Sequence, residues 1–155
     1  MGVKARFSEG DIKRYMQERT ERVDSVIIRN LRRLGEQTVA YARDRAGEDS
    51  WYDQTGNLRS SIGYVVGKDG EVIGSGGFSQ VLNGSEGSSE GKQFAMELAN
   101  ELAGKYFLIV VAGMKYASYV EEMDNKDVLA SSNLLAQKEL PKMVKRIDDL
   151  LKRIK

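Results

Sequence analysis

Residues 11–45 read DIKRYMQERTERVDSVIIRNLRRLGEQTVAYARDR. Ile12, Met16, Val23, Ile27, Leu31, Leu34, Thr38 and Ala42 recur at spacings of three, four or seven, which marks one apolar face of a helix. Val26 and Val39 widen the stripe. Asp11, after Gly10, is placed as an N-cap, Gly35 weakens the pattern, and Gly47 ends the run. Such a helix spans about 50 Å at 1.5 Å per residue. That exceeds the diameter of a compact body of 155 residues. Part of the helix therefore projects, bends, or packs on a partner chain.

Outward from this helix the pattern changes. Residues 48–61 are turn-rich and lead to a strand, Ile62 to Val66. Lys68-Asp69-Gly70 is a tight-turn signal, and Glu71 to Gly74 returns as the partner strand. Phe78 to Leu82 reads as a further short strand, so the hairpin region covers 58–82. Asn83 to Gly91, NGSEGSSEG, reads as a mobile loop. With a short helix over 93–103, bearing Phe94, Leu98 and Leu102 on one side, it makes 83–104 an inserted segment. Tyr106 to Ala112, YFLIVVA, is nearly all apolar, so 105–112 is placed as the central strand. Residues 131–154 form a closing helix on the stripe Leu140, Met143, Ile147, Leu150/Leu151 and Ile154, with a kink at Pro141. The fold class is α+β: one domain over 1–155, with an antiparallel sheet of three to four strands covered on one face by the two long helices.

The composition narrows the chemistry. There is no cysteine and no histidine, which removes disulfides, Ser–His and Cys–His nucleophile pairs, and nearly all zinc sites. The opening MGVKARFSEG has no signal-peptide core, and the longest apolar run is seven residues, against about 20 for a membrane helix. A cytosolic protein with no membrane contact and no cofactor is expected. Net charge is +1 but unevenly spread. Residues 1–45 carry eleven Lys/Arg against seven Asp/Glu, residues 46–125 five against twelve, and residues 126–155 eight against four. Such runs are mostly solvated faces. They also suit a dipolar subunit whose basic ends attract a neighbour's acidic middle.

Candidate sites are sparse. Asp44, Glu48, Asp49 and Asp53 cluster, as do Glu121, Glu122, Asp124 and Asp127, but neither set has EF-hand spacing. Gly74 to Gly77, GSGG, lacks the phosphate-loop lysine and reads as a turn. Arg29, Arg32 and Arg33, with Arg43 and Arg45, give the first helix basic patches, interleaved with Asp24, Glu36 and Asp44. They suit intrahelical pairs and subunit contacts, with DNA in a pore as the lesser alternative. Trp51 and Tyr52 sit among polar residues and read as interface anchors. No catalytic residue is assigned.

Two stretches carry a resemblance. Gln54 to Ile62 reads QTGNLRSSI, and Gly113 to Glu121 reads GMKYASYVE. Thr55, Gly56, Leu58, Ser61 and Ile62, then Tyr116, Ala117, Tyr119, Val120 and Glu121, resemble in order the two motifs of the small tail-component (tail-completion, neck) family of long-tailed bacteriophages and prophages. The likeness in order runs over roughly residues 11–155. It lacks the glycine that often follows the second motif, where Glu122-Met123 stand. The resemblance implies a structural subunit forming a homo-oligomeric ring at the head–tail junction. Other neck and tail proteins would be its partners, with the host cytoplasm as the place of assembly and the virion as destination. Two other classes stay open: a free-standing binding or regulatory module, DNA-associated, and an acid-dependent enzyme.

Overall fold

Asp69 and Gly70 both take positive φ, 57° and 81°, the conformations a two-residue type I′ turn requires. They join β1 (Ile62–Lys68) to β2 (Glu71–Gly77). The computed structural model describes residues 6, 8–44, 53–115, 117 and 128–154. The other elements are α1 (Glu9–Asp44), the single turn α2 (Asn57–Ser60), α3 (Ser85–Ala99), β3 (Tyr106–Ala112) and α4 (Ala130–Lys152).

The sheet is three-stranded and antiparallel, in the order β2-β1-β3. The two-residue period of β1 and β3 divides the core in two. Ile62, Tyr64 and Val66, with Leu108 and Val110, face α1 and pack with Ile28, Val39 and Ala42. Val65, Phe107 and Val111 face the other way and pack with Phe78, Ala95 and Ala99. The layers are therefore α3, the sheet, α1 and α4.

This corrects several expectations. The central strand is β1, and YFLIVVA is an edge strand. Its apolarity reports helices over both faces, not neighbours on both edges. Gly63 and Gly67 dilute the apolar look of β1, yet each admits an aromatic ring: a Cβ there would lie 2.6 Å from Phe78 and from Phe107. Phe78 to Leu82 is not a strand. Phe78 and Leu82 take φ of 49° and 52°, which breaks an extended run, so the sheet has three strands. The two long helices lie on one side of the sheet, but only α1 packs directly on it. α4 stacks on α1, and α3 covers the opposite face.

The NGSEGSSEG stretch is not a mobile loop. It is helical from Ser85, and its glycines are packing positions. Gly87, Gly91, Ala95 and Ala99 recur every four residues and are all buried, so this helix approaches closely on its smallest side. A Cβ at Gly87 would lie 2.0 Å from the Asn57 carbonyl oxygen, and one at Gly91 would lie 2.3 Å from that of Ser61. Phe94 is exposed, while Leu98 packs against the α3-side core.

α1 begins one turn earlier than expected. Ser8, not Asp11, is its cap: Ser8 Oγ accepts from the Asp11 amide at 3.2 Å, and Asp11 Oδ2 accepts from the Ser8 amide at 2.9 Å. This is a reciprocal capping box, and those Ser8 donors hold the Asp11 carboxyl below its usual range. Gly35 in mid-helix is buried against Tyr64, with a Cβ position 2.7 Å from the ring. α4 runs unbroken through Pro141. It is antiparallel to α1: Val128 and Leu129, before it, pack with Val39 and Ala42, and Ile154, after it, lies in a cleft with Tyr15, Glu18 and Arg22.

Candidate interaction surfaces

The first motif is a folding node. Gly56 takes φ 81°, and a Cβ there would lie 1.9 Å from the Val81 carbonyl oxygen. Asp53 ties the turn together, accepting from the Gly56 amide at 3.0 Å and the Arg59 amide at 2.9 Å. Thr55 Oγ1 accepts from the Asn57 amide at 3.3 Å. Asn57 Oδ1 accepts from the Gly87 amide at 3.1 Å, fastening α3 to the turn. Ser61 Oγ donates to the Leu58 carbonyl at 2.8 Å. Leu58 and Ile62 are buried in the α1-side core. Of the second motif, Ala117 is buried in that same core. Tyr116, Tyr119, Val120 and Glu121 lie outside the described residues, as do Trp51, Tyr52, Arg45, Glu48, Asp49 and the acids from Glu121 to Asp127. Among the described residues no group of three or more acids converges as a metal site.

The three candidate arginines separate. Arg29 and Arg33 are exposed on α1. Arg32 lies over β2, where a Cβ at Gly74 would be 2.1 Å from its Nη2. The GSGG glycines thus sit in a strand, and Gly74 makes room for a guanidinium. Arg43 Nη2 donates to the Ser79 carbonyl at 2.9 Å. Burial, then the neighbouring Arg59 charge, lowers its pKa.

Two polar ties between α1 and the sheet were invisible in the sequence, because their members lie far apart along the chain. The Tyr64 hydroxyl donates to Glu36 Oε1 at 2.6 Å. Burial first, then the Glu36 bond, raises the Tyr64 pKa. Farther along α1, Asp24 accepts from the Tyr106 hydroxyl, and from Lys68 Nζ at 3.1 Å on both carboxylate oxygens. Lys68 Nζ also sits 5.2 Å from the centre of the Tyr106 ring. The Tyr106 hydroxyl, then Lys68, draws the Asp24 carboxyl below its usual range. Asp24 in turn raises Lys68, and burial followed by Asp24 raises Tyr106. These ties clamp α1 onto β1 and β3 of the sheet beneath it.

Beyond Asp24 the clamp ends. Residues 12–22 of α1 are exposed at every position, with Ile12, Tyr15 and Met16 at 50%, 55% and 57%. A second open surface lies beside α3, past the end of β3. It is a cleft of ≈ 630 Å³ between α3 and the chain after β3, with Glu90, Phe94 and Glu97 on one wall and Gly113, Met114 and Lys115 on the other.

A family model described as "Bacteriophage HK97-gp10, putative tail-component" matches residues 10–122. The chain belongs to this HK97 gp10-like family of phage tail components. The match takes in α1, the hairpin, α3 and both motifs, and it stops before α4. No curated protein and no solved structure matches the chain. No helix among the described residues is long and apolar enough to cross a membrane.

Proposed function

We propose that this tail component is a structural subunit, not an enzyme, that assembles through subunit contacts into a ring at the head–tail junction. The observation that carries this reading is the exposed stretch of α1 from residue 12 to 22, with apolar residues at positions 12, 15 and 16. Ile154 after α4 reaches this stretch at Tyr15, Glu18 and Arg22, and the apolar side chains left exposed on it are stabilised when a partner covers them. Membership of a tail-component family supplies the class of partner: other phage neck and tail proteins, and further copies of the chain. The motif residues Thr55, Gly56, Leu58, Ser61, Ile62 and Ala117 serve packing, and we assign Tyr116, Tyr119, Val120 and Glu121 to the same structural or interface set on the strength of the motif alone. Arg29 and Arg33, with Trp51 and Tyr52, belong to the contact surface, while Arg32 steadies β2. Assembly takes place in the host cytoplasm and the finished ring resides in the virion.

Deleting the gene from the phage or prophage tests this directly. Lysates should contain filled heads and separate tails, and adding purified protein should join them. Normal virions from the deletion strain would overturn the reading.

A further inference from the structure

The projecting end of α1 and the α3 cleft differ in sign as well as in place. At 100° per residue, Ile12, Met16, Arg19 and Val23 fall on one side of α1, with Tyr15 and Arg22 along one margin and Lys13 along the other. Glu9 lies near that side, and Asp11 and Glu18 lie just beyond the Arg22 margin, where Glu18 shares a cleft with Tyr15, Arg19, Arg22 and Ile154. Arg14 points elsewhere, held by Asp11 at 2.9 Å. The face is apolar with a basic border.

The α3 cleft is the converse. Its helical wall presents Glu90, Glu97 and the exposed Phe94. Glu86 continues this acidic line one turn earlier on the same side of α3, and Lys92 lies on the other side. Met114 and Ala112 line the opposite wall, where Lys115 is the one base.

The two surfaces cannot meet within one chain. Asp24 meets Tyr106 at the start of β3 and α1, one uninterrupted helix, runs outward from there, whereas the cleft lies past Ala112 at the other end of β3. We propose that the α1 end of one copy seats in the α3 cleft of the next, with Ile12 and Met16 against Phe94 and Met114. Arg19 and Arg22 then face Glu90 and Glu97. The contact joins two different patches, so it is heterologous, and repetition gives a ring when the rotation closes. It rests on the ring reading above and names the surfaces that would build it.

The chain contains no cysteine, so engineered thiols report the contact without background. Thr20→Cys and Gln93→Cys place thiols beside the two anchoring patches, both at exposed positions. In the full chain at millimolar concentration, a short bismaleimide should convert the double variant into a ladder of dimer, trimer and higher species. Mixed single variants should stop at dimer, and either single variant alone should give none. Glu90→Lys with Glu97→Lys should cut the yield about tenfold at low salt. Pairing that chain with an Arg19→Glu, Arg22→Glu chain should restore it. Absence of the Thr20→Cys to Gln93→Cys product, or a product indifferent to charge reversal, overturns the contact. Rings seen by electron microscopy without that product refute this contact and leave the ring reading standing. A ladder from a protein whose deletion leaves virions normal refutes the junction reading and leaves the contact standing.

Discussion

Glycine in this chain does two different jobs, and two residues separate them. Gly56 and Gly104 share a left-handed conformation, φ 81° and 74°. A methyl at Gly56 would also collide with the Val81 carbonyl oxygen at 1.9 Å, while a methyl at Gly104 meets nothing within 4 Å. Left-handed backbone alone costs an L-residue roughly 1–2 kcal/mol. Gly104→Ala should therefore cost about 1 kcal/mol in urea-induced unfolding. Gly56→Ala should cost roughly 2 kcal/mol more, because the first motif must shift away from Val81. Equal losses would mean that the turn yields freely and that the motif is not a rigid node. Residues 48–61 read as turn-rich, and Gly56 makes a turn there. The sequence could not show that Val81, 25 positions on, closes over this glycine, since close approach is a property of the assembled chain.

Local signals were readable at the scale of elements, and non-local ones were not. The 3.6-residue stripe gave α1 and α4, and Asp69-Gly70 gave the hairpin, because each depends on neighbours in sequence. Glycine and serine in NGSEGSSEG suggest a free loop, yet α3 runs through them from Ser85. The corrective signal was present: Gly87, Gly91, Ala95 and Ala99 at intervals of four are a helix face made of small residues. Strand order was out of reach, since YFLIVVA looks the same at the centre of a sheet as at an edge with both faces covered. The Asp24, Lys68 and Tyr106 cluster was equally hidden, its members being 44 and 82 positions apart. Small-faced packing makes α3 sensitive to volume and not to apolarity. Gly91→Val should lose roughly 2–3 kcal/mol, with hydrogen-exchange protection falling across residues 85–99. Phe94→Ser, on the exposed side, should stay within about 0.5 kcal/mol of the parent. A Gly91→Val protein that kept its protection would mean that α3 does not seat on the Ser61 backbone.

Over the whole molecule, α1 behaves as an arm with a defined root. From Ile28 onward it is held by the core and by the Glu36–Tyr64 bond, and Asp24 is its last polar tie before the exposed end. That tie titrates. The Asp24 carboxyl is lowered in the folded chain, by Tyr106 first and by Lys68. Its contribution is therefore present above the ordinary carboxylate value of about 4 and is lost as pH falls through the lower folded value. Tyr106 and Lys68 are raised, so their contributions are present below about 10 and are lost as pH climbs past it. Acid should thus loosen the root of the arm by removing the acceptor, and alkali by removing the donors. Asp24→Asn takes away the charge while keeping the shape. The parent should exceed this variant in urea midpoint at pH 7, and the gap should shrink steadily between about pH 5 and pH 3 as Asp24 takes up its proton. A gap of the same size at pH 7 and pH 3 would show that Asp24 does not tie α1 to the sheet as a carboxylate. The arm would then be held at its root by packing of Ile28 and Leu31 alone.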